Sequence, residues 1–182
     1  MKKLTLITAI SLIAFQANAG EYSFNRIGFG KLDDMLAKYE AEKQPEYPQS
    51  FIIKFLSIPV KESPISTIKR INQYVNNSVA YKNEAVGDDV WQTPVETANL
   101  GMGDCEDYAI YKWHLLKQAG FHEDNMFFIL GNATQGYHVT LQVNIGEQRY
   151  YLDNLSDDIM QSSINPKINN KINRTTHIIV TE

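Results

Sequence analysis

The chain has 182 residues, 21 Asp and Glu against 17 Lys and Arg, and a formal charge of −4. Removing the leader described next takes away two lysines and no acids, so the mature charge is −6. A net-acidic chain without a basic stripe is a poor nucleic-acid binder, and the mature length supplies one domain with one real core.

Residues 1–19 have the organisation of an export signal. Lys2 and Lys3 precede the apolar run Leu4 to Phe15, and Ala17-Asn18-Ala19 gives a small-x-small cleavage pattern before Gly20. The run is too short for a membrane span, and no later segment is apolar for long enough, so no direct membrane insertion is expected. The reading is a cleavable signal peptide, a soluble periplasmic protein and a single domain over residues 20–182.

The first half reads as helical. Lys31 to Lys43 places Leu32, Met35, Leu36 and Tyr39 on one stripe, and Gln44-Pro45 ends it. A second helix is predicted over Ile65 to Val79, with Ile65, Ile68, Ile71, Val75 and Val79 inward. After a Gly87-Asp88-Asp89 loop, Thr93-Pro94-Val95-Glu96 is a capping box with proline at the first helical position. Glu96 therefore reads as a cap, and Trp91 as core. Gly101 and Gly103 stop that short helix. Asp104 is the next N-cap, and Cys105 to Ala119 forms a helix closed by Gly120.

The second half reads as antiparallel sheet, with strands over Met126 to Leu130, Tyr137 to Val143, Gln148 to Leu152 and His177 to Val180. Ile164 to Arg174 reads as an irregular connection. Helices first and strands later predict an α+β domain.

Cys105 is the only cysteine. A leftover cysteine in an exported protein points to intermolecular pairing or a reactive free thiol. At a helix N-terminus, unpaired N–H groups and the positive dipole end favour thiolate, and the Cys105 amide can donate to an oxyanion formed by its own attack. Cys105, Ala109, Lys112/Trp113 and Leu116 follow the helical step, so the side chain can point toward the packed face, while its place at the helix start is expected to leave it exposed and contributing little packing.

If the hairpin turn is centred between Ile145 and Gly146, opposed residues sum to 291, and His138 faces Asp153 across the ladder. Opposed Cβ atoms lie about 4.5–5.5 Å apart, which suits a carboxylate orienting an imidazole. This gives a Cys105-His138-Asp153 triad. His114, His122 and His177 read as structural or surface residues, and a zinc site lacks its ligand spacing.

Against an activated thiolate stand Asp104, Glu106 and Asp107, because like charge raises a thiol pKa. Either they cap the helix and point away, or a divalent cation neutralises them. Hard oxygen ligands in an exported protein suit calcium best, and Asp88 and Asp89 could join from the preceding loop.

Trp91-x-Thr93-Pro94-x-Glu96, Gly101-x-Gly103-Asp104-Cys105-Glu106-Asp107-Tyr108-Ala109, Tyr137-His138-Val139 and Leu152-Asp153-Asn154 together resemble the bacterial transglutaminase-like cysteine proteinases of the LapG type. The resemblance covers about Ile65 to Leu155. It implies a papain-like, transglutaminase-like fold: an N-terminal helical lobe carrying the cysteine helix, packed on an antiparallel sheet carrying His138 and Asp153. Carried over, Cys105 is the nucleophile, His138 the general base and acid, and Asp153 the orienting carboxylate.

The resemblance further implies a periplasmic endopeptidase that clips a large surface adhesin near its N-terminus and releases cells from a biofilm. Calcium dependence would run through acids matching Asp104, Glu106 and Asp107. An inner-membrane receptor that reads cyclic di-GMP would act as regulator through its periplasmic domain. Two other readings share the same residues: acyl transfer to an amine, and a catalytically silent calcium-dependent binding module.

Overall fold

The computed structural model describes residues 19–42, 63–84, 89–133, 136–163, 171–173 and 178–180. Residues 1–18 of the leader, Asp88 and His177 lie outside the described residues.

Among the described residues, four α-helices precede or thread the sheet. Helix α1 runs Ala19–Glu42, and its Leu32, Met35 and Tyr39 are buried as the stripe predicts. It begins well before the predicted Lys31. Helix α2, Pro64–Ser78, starts at the Ser63 N-cap, whose hydroxyl accepts from the Ser66 amide. It buries Ile68, Ile71, Asn72 and Val75, whereas Ile65 is 45% exposed. Ile65 sits at the second helical position, before the chain has turned onto the core, and Asn72 takes an inward place that a hydropathy pattern gives to an apolar residue.

Helix α3, Pro94–Leu100, has the predicted capping box, and Gly101 closes it in the left-handed region at φ 63°. Helix α4, Cys105–Gln118, follows directly. Its residues Glu106 to Leu116 are all buried, because it packs against both helices and sheet.

Among the described residues, two sheets carry the strands. The short strands β1, Ala80–Tyr81, and β2, Met102–Gly103, pair in parallel. The main sheet holds β3 (Met126–Ala133), β4 (Gly136–Ile145), β5 (Gln148–Leu152), β6 (Met160–Ser163), β7 (Lys171–Asn173) and β8 (Ile178–Val180). Its order is β6-β5-β4-β3-β8-β7. The expected all-antiparallel sheet is corrected at one place, since β8 pairs parallel to β3. The stretch read as irregular also contains a strand: Lys171–Asn173 pairs with β8. Backbone pairing at a sheet edge needs no hydrophobic alternation, which is the signal missing there.

The core lies between α4 and the face of β4 and β5 that presents Val139, Leu141, Val143, Tyr150 and Leu152. Helices α1 and α2 cover the other side of α4 with Tyr39, Ile68, Ile71 and Val75. Tyr39 also hydrogen-bonds its hydroxyl to His114 Nδ1 at 2.6 Å inside the core. Among the described residues, no helix is long and apolar enough to cross a membrane.

The capping box at Thr93 holds an otherwise short, marginal helix. Thr93→Ala is expected to lower unfolding free energy by about 1 kcal/mol without changing the fold, read by urea denaturation with an unchanged m-value.

Candidate active site

The site forms where the first turn of α4 meets the end of the β4–β5 hairpin. Gly146, at φ 60°, is the first residue of a two-residue turn, the position that demands positive φ in the tight hairpin types. The register therefore pairs Ile145 with Gln148 and Leu141 with Leu152, a sum of 293 rather than 291. His138 and Asp153 are thus not directly opposed. The slip is two residues, so both stay on the face they were given, and the long imidazole spans the diagonal. His138 Nε2 lies 2.9 Å from Asp153 Oδ1. Thr140, the residue that continues the register opposite Asp153, donates its hydroxyl to Asp153 Oδ2 at 3.3 Å, and the Leu155 amide donates to Oδ1 at 3.0 Å.

Burial alone would raise Asp153. The His138 hydrogen bond, the Leu155 amide and the charges of His138 and Lys112 instead hold it below its ordinary 3.8. With Nε2 engaged by the carboxylate, Nδ1 is the imidazole nitrogen left to exchange a proton with another group.

Pairing between β4 and β5 stops at Leu141 and Leu152. Two residues beyond stands Val139, whose amide is near enough to the Cys105 sulfur to pull the thiol pKa down. The thiol thus lies against β4 past the end of β5, near the residue next to His138. Cys105 is half-buried and packs against the core, which corrects the expectation of an exposed side chain.

The acids divide into two groups. Asp107 is fully buried, and its Oδ1 accepts the Gln92 amide at 2.8 Å while Oδ2 accepts the Asp104 amide at 3.2 Å. It braces the loop before the helix. Burial raises it to about 7, against the pull of those amides. A Cβ added to Gly103 would meet Asp107 Oδ2 at 2.5 Å, so only glycine lets the ribbon pass over this carboxylate.

Asp89, Asp104 and Glu106 form the second group. Burial, then hydrogen bonding to Asp89 and the nearby charge of Asp104, drives Glu106 up to about 10. Burial also raises Asp104, whose Oδ1 is buried without a hydrogen-bond partner among the described residues. Burial works against Asp89 as well, yet hydrogen bonds from Glu106, Lys31 and the Trp91 indole hold it below its ordinary value. Lys31 also forms an ion pair with Asp89, fastening α1 to this loop. Buried Trp91 is core, as expected, and lends the site its one polar atom.

The thiol feels these acids. It donates to Glu106 Oε2 at 3.2 Å. Burial first, and the Glu106 charge next, push Cys105 up, far from a thiolate at neutral pH. An all-oxygen, crowded, partly unsatisfied acid set is chemistry that a hard divalent cation fits. Among the described residues, however, no three of these side chains already converge as a metal cage.

Three contributors went unread in the sequence. Glu84 accepts the Val90 amide and adds negative charge toward Asp104 and Asp107. Tyr81, exposed on β1, lies within electrostatic reach of Cys105. Asn76 on α2 donates to the Asp153 and Ser156 carbonyls, at 3.0 Å each. His114 is buried against Tyr39, and His122 is exposed, capping a short 3-10 turn. Neither is near the triad by any contact described.

Residues 42–166 match the model of a single family, described as bacterial transglutaminase-like cysteine proteinase. The chain belongs to that family. It is a cysteine peptidase with a transglutaminase-like, α+β papain-like fold. Solved structures of Legionella pneumophila LapG are similar at 22% identity. The calcium-bound form covers 74% of this chain and 78% of that one at a TM-score of 0.53. The EGTA-treated form covers 74% and 76%, also at 0.53. No curated protein matches the chain at a significant level.

Asp153 is a carboxyl held below 3.8 by its folded environment. Such a group stabilises the fold above the unfolded value, and that contribution is lost as pH falls through 3.8 toward the folded value. The stability advantage of the natural protein over Asp153→Asn is therefore expected to shrink on acidification below that point, followed by thermal melts across pH 2.5–6.

Proposed function

We propose that this cysteine proteinase is a calcium-dependent periplasmic endopeptidase working through Cys105, His138 and Asp153. The observation that carries the reading is the meeting of three groups at the end of β5. The Cys105 sulfur lies near enough to the Val139 amide to feel it, and the adjacent His138 is held through Nε2 by Asp153. A cysteine peptidase with one cysteine leaves no other thiol nucleophile.

His138 Nδ1 takes the thiol proton, and the sulfur attacks a substrate carbonyl. The Cys105 amide, at the first turn of α4, donates to the resulting oxyanion. His138 then gives its proton to the leaving amine, and the acyl-enzyme is released when the same nitrogen deprotonates water. Asp153 keeps the ring in one tautomer throughout. It is already fixed by Thr140 and the Leu155 amide, so little reorganisation is needed.

The ion would be held by Asp104, Glu106 and Asp89, with Asp107 as the brace behind them. Bound there, calcium supplies positive charge that relieves the repulsion raising Glu106 and Cys105. The LapG structures described as calcium-bound and EGTA-treated support this for a similar fold. The export signal supports a periplasmic site of action. A large surface adhesin cut near its N-terminus is the proposed substrate, and the periplasmic domain of a cyclic di-GMP-reading receptor is the proposed regulator.

The test is incubation of the mature protein with the N-terminal region of a candidate adhesin, with calcium or with chelator. A new N-terminus supports hydrolysis, whereas a mass gain on an intact chain indicates transfer to an amine. Cys105→Ala is expected to abolish cleavage while keeping a cooperative thermal transition, followed by calorimetry.

Chelation should lower activity and melting temperature together, because a ligand bound only by the folded state stabilises it, by about 2.7 kcal/mol at a hundred times Kd. Glu106→Gln should remove most of that response. If chelator changes neither quantity, the acids are a helix cap and brace whose buried charges hold no ion.

A further inference from the structure

Lys112 is a charged side chain with no exposed surface at all. It lies on α4 seven residues after Cys105, two turns along the same helix face. Lysine is almost never fully buried unless paired. Here the ammonium makes no ion pair within 4.0 Å and no hydrogen bond among the described residues. It has the ring of Tyr108 at 5.7 Å.

The charges that act on it are those of Asp153 and Asp157, both in the segment leaving β5. The influence is mutual, since Lys112 is among the groups that keep Asp153 ionised. The same segment is pinned from α2. Asn72 Nδ2 donates to the Ser156 carbonyl at 2.8 Å, and Asn76 Nδ2 to the Asp153 carbonyl and to Asp157 Oδ1. Nothing about packing requires a charge here. An apolar side chain of similar volume would avoid the desolvation penalty, and a buried ammonium without a hydrogen bond is expensive.

We propose that Lys112 is a positioning residue of the site: its buried ammonium holds Asp153 as a carboxylate and so keeps the His138 imidazole aligned for the thiol. This rests on the peptidase reading of Cys105 and His138. The charge acts through Asp153 and touches neither substrate nor sulfur. The charged and titratable groups facing it are Tyr108 from its own helix, Asp153 and Asp157 from the segment after β5, and His138 of β4 through Asp153. The asparagines of α2 are neutral. Burial drives Lys112 down to about 7, with Asp153 and Asp157 pulling it back up, so its ammonium form depends on those two acids.

The test compares Lys112→Met and Lys112→Arg with the natural protein in three measurements: peptide cleavage, thermal stability, and titration of the Asp153 carboxyl by carbon-13 NMR. In Lys112→Met, kcat is expected to fall about tenfold or more while KM changes by less than about twofold. The melting temperature should be no lower than that of the natural protein, because a buried charge has been replaced by an apolar isostere. The Asp153 midpoint should move up. Lys112→Arg should restore much of kcat and return the midpoint downward.

An unchanged kcat, an unmoved Asp153 midpoint, or a loss of kcat that only follows a loss of stability would each overturn the proposal. Should Lys112→Met not fold, Lys112→Gln is read in the same way. If neither folds, the ammonium is holding the fold and the positioning role is wrong. If the natural protein cleaves nothing and iodoacetamide does not label Cys105 selectively, the peptidase reading fails. The Asp153 titration then decides the role of Lys112 by itself.

Discussion

Two backbone amides, from Gln92 and from Asp104, converge on the carboxylate of Asp107. Charge-assisted hydrogen bonds of this kind are stronger than neutral ones, and here the Asp104 bond lies out of water and the Gln92 bond partly so. They join the loop after Asp89, the β1–β2 ribbon and the first turn of α4 into one piece. Gly103 must pass directly over that carboxylate, where a methyl group has no room. The position of Cys105 follows from this brace, since the sulfur stands two residues before Asp107 on the helix it anchors. Removing the carboxylate would strand two buried amides, each leaving about 1–3 kcal/mol of unmet hydrogen bonding.

The electrostatics around the thiol then oppose one another, and magnitudes decide between them. A helix N-terminus favours an anion by up to about 2 kcal/mol, roughly one and a half pKa units. Burial and Glu106 nevertheless push Cys105 upward, so together they outweigh the helix end. The thiol cannot be activated by its place on α4 alone. In the proposed mechanism the imidazole is its proton acceptor, and relief of the carboxylate charge completes the activation. Glu106 is the group on which that relief turns: it accepts from the thiol and shares a hydrogen-bonded set with Asp89 and Asp104. Asp107, one residue later, points about 100° further round the helix and goes to the backbone instead. The two neighbouring acids thus divide into a brace and an electrostatic control.

Much of this was readable in the sequence because it depends on local rules. Thr93 and Glu96 form their capping box, and Gly101 and Gly120 close helices at positive φ, as side-chain chemistry alone predicts. The His138–Asp153 pairing survived an error in the turn centre because strand parity tolerates a slip of two and not of one. What stayed hidden was tertiary. Helical spacing puts Lys112 beside Trp113 on an inward-facing arc, yet nothing in the sequence distinguishes a lysine that reaches solvent from one sealed beneath the β5 exit. Asn72 and Asn76 look like surface residues of an amphipathic helix until the segment after Leu152 comes to lie against them. The parallel pairing of β8 with β3 joins residues about fifty positions apart, a separation that no periodicity reports.

The groups least at ease in this protein are concentrated on one element. Asp104, Glu106, Asp107 and Lys112 are all buried on or beside the first two turns of α4, and the thiol lies among them. Each pays for burial with a displaced pKa. A helix chosen only for stability would carry apolar residues at those positions, as the rest of the core does with Leu115, Leu116, Leu141 and Leu152. Local rules are broken in natural proteins chiefly where function requires it. The apolar layer between α4 and the sheet is large enough to hold the helix in place despite these buried charges. The acids can therefore remain close to the sulfur and act on its ionisation, and in the proposed mechanism the lysine does the same for Asp153.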